Sequence, residues 1–195
     1  MAALFARIVF YPSLGYNVFM SKMFGRPWYD RIDQTVIIGA LPFRSLTDEL
    51  VRKENVRGVI TMNEDYETKF FVNTTEEWKS VGVEQLRLST IDIFGVPKME
   101  DLKKGVDFIS KYHQNGSCVY VHCKAGRSRS ATMVAAYLIH LHHWNPKRAC
   151  EYLASIRPRI IIRSGQFKIL RNYYREIFSE DPDILYETRS TAFKS

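Results

Sequence analysis

Short apolar runs alternate with amphipathic stretches along most of the chain. Residues 35–42, 56–63, 83–90 and 117–122 are β-branched or apolar runs bounded by turn residues, which predicts strands. Met99, Leu102, Val106 and Ile109 recur at helical spacing, and Gly116 follows as a stop. Residues 130–143 are apolar nearly all round, so this helix should be buried. Asn145 and Pro146 form an N-cap and first-turn pair ahead of residues 147–156, and a last helix fits 166–178. Ser45 with Asp48, and Thr74 with Glu77, have the spacing of capping boxes that open two further helices. No internal repeat or low-complexity linker interrupts the pattern. Strand–helix alternation predicts an α/β fold with a central parallel or mixed sheet flanked by helices on both faces. Such sheets bind ligands beyond the carboxyl ends of their strands, and the 117–122 run ends at Cys123.

The 195 residues suit one domain plus a short extension. A net charge of +7 points to anionic partners: phosphate groups, acidic lipid surfaces or nucleic acid. A merely solvated basic surface is the competing reading. No groove-reading motif organises the cations, so nucleic acid is set aside. Cys118, Cys123 and Cys150 are odd in number and lack C-x-x-C spacing, which argues against a disulfide scaffold and for a reducing compartment. His140, His142 and His143 close a helix at its negative dipole end, a structural explanation, and no metal is expected.

Residues 1–27 stand apart. No acid precedes Asp30, while Arg7, Lys22 and Arg26 are basic. The uncharged stretch 8–21 is short for a membrane span and is interrupted by Pro12 and Gly15. The segment reads as mitochondrial targeting, or as an interfacial helix that buries Phe5, Phe10, Phe19 and Phe24 with its cations at anionic headgroups. The competing reading is a helix packed on the domain. Residues 28–195 are the expected catalytic domain.

The chemistry concentrates in His122–Ser130, HCKAGRSRS. A strand ends and a helix begins within a few residues, so loop N–H groups can turn inward as an anion nest, with the helix N-terminus behind them. Arg129 can give two parallel hydrogen bonds to a tetrahedral oxyanion. Gly126 allows the bend. The same field acts on Cys123: a free thiol has a pKa near 8.5, and such surroundings depress it to roughly 3.5–7.5. The result is a nucleophile inside a phosphate-sized cup. No Walker-type phosphate loop is present.

His122-Cys123-x5-Arg129-Ser130 resembles the signature of the cysteine-dependent protein-tyrosine phosphatases, and AGRSRSAT is especially similar to their dual-specificity branch. The resemblance implies a dual-specificity phosphatase-like fold, attack by Cys123 on phosphorus and a phosphocysteine intermediate. It implies substrate binding by Lys124, Ala125, Gly126, Arg127, Ser128 and Arg129, a supporting His122, and Ser130 donating to the departing thiolate. It needs no metal or other cofactor. It takes the general acid from an upstream aspartate, for which Asp92 stands best; Asp101 and Asp65 are weaker. Gln166 would position water, with Arg163 nearby, although Ser164 stands where many relatives carry proline; an ordinary helix cap is the alternative. Lys124 and Arg127 exceed the minimal signature and suit a highly anionic substrate, or serve only solubility.

From about residue 28 to 174 the chain further resembles the mitochondrial phosphatidylglycerophosphate phosphatases of that branch. This implies conversion of phosphatidylglycerophosphate to phosphatidylglycerol on the route to cardiolipin, on the matrix side of the inner membrane. Its partners would be an anionic phospholipid and the membrane surface. The Glu64–Glu67 loop would stand at the pocket mouth, facing a glycerol headgroup. The alternatives are a protein phosphatase acting on phosphoproteins, a phosphoinositide phosphatase, and a pseudophosphatase that binds without turnover.

Overall fold

The structure, a computed structural model, describes residues 2–92 and 95–182, without the side chains of residues 2–7. The expected roles of Phe5 and Arg7, and the 183–195 end of the expected domain, therefore lie outside the described residues.

A five-stranded sheet runs β1 (Tyr29–Arg31), β2 (Val36–Gly39), β5 (Cys118–His122), β3 (Val56–Thr61) and β4 (Glu84–Arg87). All neighbours are parallel except β1 and β2, so the sheet is mixed. The four expected strands are present; the short edge strand β1 has no apolar run to announce it. Gly39, His122, Thr61 and Arg87 are in register, so four strands deliver their following loops to one edge.

Strand residues alternate between the two faces, as the pleat requires. Val36, Ile38, Ile60, Val119 and Val121 face the larger core under α4 (Met99–Gln114), α5 (Arg129–His142), α6 (Pro146–Ile156) and α7 (Ser164–Phe178). Ile37, Val59 and Tyr120 face Leu50 and Trp78, the latter on α3 (Thr75–Ser80). Every residue of α5 from Arg129 to Ile139 is buried, as its apolar circumference predicts. The Thr74 box forms, and the Asn145 side chain accepts from Arg148 N at 2.9 Å.

Two expectations are corrected. Ser45 and Asp48 form no capping box: residues Arg44–Leu46 make a 3₁₀ turn and Glu49–Lys53 a π turn, without side-chain caps. Asp48 pairs with Arg52 instead. Tertiary contacts hold the entry, where Arg44 N donates to Phe71 O at 3.1 Å and Phe43 bridges Val72. Second, Glu64–Glu67 is not an open loop: α2 (Asp65–Thr68) is a helical turn capped by Glu64 and Glu67.

At the N-terminus, α1 (Ala2–Phe24) runs through Pro12. An interior proline costs about 3 kcal/mol. Burial of Phe10 and Leu14 against Leu41 and Val72 offsets it.

Leu138 is fully buried at the centre of α5. Leu138→Ala is expected to lower stability by about 2–5 kcal/mol in urea unfolding; a loss below about 1 kcal/mol would show that α5 is not the centre of the core.

Candidate active site

The loop from Cys123 to Ser128 leaves β5 at the carboxyl edge and enters α5 at Arg129. Its carbonyls are held from outside. Lys124 O accepts from Leu41 N (3.3 Å), and Arg127 O from Ile161 N (2.8 Å). Arg157 donates to Gly126 O from Nε (2.8 Å) and to Ala125 O from Nη2 (3.2 Å), and its Nη1 pairs with Asp30 on β1. Ser128 O accepts from Thr132 N at 2.9 Å. With consecutive carbonyls turned outward, the alternating N–H groups turn inward, which is the anion nest. Gly126 sits at φ +64°, and a Cβ there would lie 2.5 Å from the Gly39 carbonyl.

Cys123 is 4% exposed, and its sulfur lies 3.3 Å from Ser130 Oγ. Burial pushes the thiol up. Arg129, the Ser130 hydroxyl and the backbone N–H groups of Ser130 and Arg127 outweigh it, leaving Cys123 below its ordinary value. Beneath, burial and the nearby Arg87 and Arg129 push His122 down to about 3, so the ring is neutral. Gln85 Nε2 donates to Thr61 Oγ1 (2.7 Å), which shares a hydrogen bond of 2.9 Å with His122 Nε2.

Arg129 is aimed by its own partners. Nη1 and Nη2 meet the two oxygens of Glu67 at 2.8 and 2.9 Å, and Nη1 also donates to Thr90 O at 2.8 Å. Burial opposes the guanidinium charge, but Glu67, Cys123 and Asp92 hold Arg129 above its ordinary value. Asp92 follows β4 and is buried; Oδ1 lies 2.9 Å from Arg129 Nη2 and Oδ2 pairs with Lys124. Gln166 is 3% exposed and donates to Ser128 Oγ at 2.7 Å and to Gly95 O at 3.4 Å, tying the thiol loop to the segment after Asp92.

A cavity of about 270 Å³ opens over the thiol, lined by Cys123, Asp92, Lys124, Ala125, Arg127, Ser128 and Arg129 among others. Gly126, Ser130 and Gln166 stand behind this wall. Asp101 lies in the first turn of α4, and Asp65 pairs with Arg87. Glu67 is not at the mouth: it is buried under Arg129. Sequence reasoning passed over Arg157, which at the end of an amphipathic helix reads as an ordinary C-terminal cation. It also passed over the Thr61–Gln85 pair, which sits in unremarkable strands. Among the described residues no group of His, Cys, Asp and Glu could hold a metal ion. A thiolate facing inward amides and a guanidinium can attack a bound phosphoryl group, and a nearby carboxylate can serve the leaving oxygen.

The model of the dual specificity phosphatase catalytic domain matches residues 51–176. A rat protein, phosphatidylglycerophosphatase and protein-tyrosine phosphatase 1, is 61% identical over 175 residues, covering 88% of this chain and 91% of its own. The human protein of the same name is 59% identical, covering 88% and 87%. A crystal structure of PTPMT1 in complex with PI(5)P superposes with a TM-score of 0.77 at 59% identity, covering 78% of this chain and 98% of its own.

Removing Glu67 would take away the bidentate partner of a buried guanidinium and leave it Asp92 alone as a carboxylate. Glu67→Ala is expected to cost about 3 kcal/mol in chemical denaturation; an unchanged midpoint would mean that Asp92 and the Thr90 carbonyl suffice to hold Arg129.

Proposed function

The chain belongs to the dual specificity phosphatase catalytic-domain family, and from that premise we propose that it is a cysteine-based phosphomonoesterase that converts phosphatidylglycerophosphate to phosphatidylglycerol. The observation that carries the chemistry is the buried Cys123 sulfur, 3.3 Å from Ser130 Oγ, under a loop whose carbonyls are tied outward. The Cys123 thiolate attacks phosphorus. Loop N–H groups and Arg129 hold the non-bridging oxygens. The P–O bond to glycerol breaks, and Asp92 gives its proton to the leaving alkoxide, a role that contributes about 10²–10⁴ in rate. Asp92 then takes a proton from the water that attacks phosphocysteine, and the sulfur leaves with a hydrogen bond from Ser130. His122, neutral beneath the loop, keeps the strand end in place.

The lipid substrate is supported by the names of the relatives that are 59–61% identical over most of this chain. It is also supported by the apolar Val9, Tyr16 and Ile161 at the cavity, beside the cations Arg127 and Arg163. The product would enter cardiolipin synthesis on the matrix side of the mitochondrial inner membrane. Residues 1–27 would attach the protein there, with Ile8, Tyr16, Phe19, Met23 and Phe24 exposed along α1 and Lys22 and Arg26 at its end. No described helix is long and apolar enough to cross a membrane, so the segment would lie along the surface.

Turnover of phosphatidylglycerophosphate in mixed micelles is expected to exceed that of phosphotyrosyl peptides in kcat/KM, and Cys123→Ser is expected to abolish both. A strong peptide preference would replace the lipid reading with a protein-phosphatase one.

The pH dependence has a definite sign. The reactive form is the thiolate, and Cys123 is held below its ordinary value. The ascending limb of kcat/KM should therefore lie below the roughly 8.5 of a free thiol. Ser130→Ala removes one stabilising donor and should move that limb to higher pH; no movement would remove Ser130 from the thiolate's support.

A further inference from the structure

The N-terminal helix presents two faces to the domain. Phe10 and Leu14, one turn apart, are buried against Leu41 and Val72, and the Phe10 ring meets Tyr66 edge-on at 5.8 Å. Tyr11 adds a bond from its hydroxyl to Tyr66 O at 3.3 Å. The adjacent stripe, Val9, Ser13, Tyr16 and Asn17, lines the cavity that holds Cys123 and Asp92. These positions follow i, i+4, i+7 and i+8, one face of a helix. A segment that only delivered the protein to a membrane would have no need of such a face.

Ser13 makes the chemical connection. Its hydroxyl donates back to Val9 O, so the oxygen lone pairs face outward, and Lys124 Nζ donates to that oxygen at 2.9 Å. The same ammonium sits 5.3 Å from the centre of the Phe10 ring, within cation–π range. On its other side Lys124 pairs with Asp92. Lys124 is 7% exposed, so its head is confined between α1 and the carboxylate.

We propose that α1 is a wall of the catalytic pocket, retained in the active protein, and that Ser13 and Phe10 are positioning residues that hold Lys124 and through it Asp92. The proposal rests on the phosphatase reading above and not on the identity of the lipid. Lys124 is thereby assigned to the alignment of the acid rather than to phosphate. A misplaced acid matters most where the leaving group is a poor one, because an alkoxide must be protonated as it departs and a nitrophenolate need not be.

The test uses two soluble substrates, glycerol 3-phosphate and p-nitrophenyl phosphate, with the full chain and its variants. Ser13→Val removes the hydroxyl and keeps the branched shape of Ser13→Thr, which retains the hydroxyl. Ser13→Val is expected to lower the ratio of kcat on the alkyl ester to kcat on the aryl ester about tenfold, and Ser13→Thr to restore most of it. Equal losses on both substrates, or a valine variant matching the threonine one, would overturn the positioning role. A chain starting at Trp28 is expected to show a raised KM on both substrates as well as the altered ratio. Kinetics equal to those of the full chain would overturn the wall. If that shortened chain fails to fold, the valine–threonine comparison in the full chain still decides the positioning role. Absence of any Cys123-dependent turnover on either ester would instead count against the phosphatase reading.

Discussion

The outward pull on the carbonyls of Lys124 to Ser128 is the constraint on which the site depends. Each has a donor outside the loop: Leu41 N, Arg157, Ile161 N or Thr132 N. Those donors come from the β2 exit, the end of α6, the segment before α7 and the first turn of α5. The cup is therefore made by the whole sheet edge and not by the loop's own residues. Arg157 is the most demanding part. It is 2% exposed, spans two loop carbonyls and is itself neutralised by Asp30. A buried guanidinium without a partner would cost several kcal/mol, so strand β1, which gives the core only the partly buried Tyr29, is needed for the cup.

A second constraint is charge balance. Arg129 and Lys124 are buried together with Glu67 and Asp92. The carboxylates offset the cations, so the cluster survives burial without a bound anion. The Cys123 thiolate is then supported first by the Arg129 charge, and after it by hydrogen bonds from the Ser130 hydroxyl and the N–H groups of Ser130 and Arg127. Glu67 fixes the plane of the Arg129 fork, which is what bidentate recognition of a phosphoryl group requires.

The N-terminal helix changes how the extension and the domain relate. Its exposed apolar side chains suit a lipid surface, while its inner stripe closes the pocket. A substrate held in a bilayer would meet both on the same element.

Local chemistry made much of this legible in the residues alone. Periodicity placed the parallel strands and the buried α5, because a two-residue and a 3.6-residue repeat are written directly into which side chains are apolar. The spacing from Cys123 to Arg129 announced the cup, because a strand-to-helix turn of that length brings its N–H groups and one guanidinium to a common centre. What the residues could not announce were partners distant in sequence. Glu67 read as part of a loop at the pocket mouth and is the buried counter-ion of Arg129. Ser45 read as a cap and is overruled by contacts to Phe71 and Val72. Arg157 drew no reading at the end of its helix and braces the loop. Ser13 read as part of a leader and accepts from Lys124. Each of these roles is set by burial, which makes an unpaired charge or donor costly only once the fold has removed water from it, and that is decided by the tertiary structure.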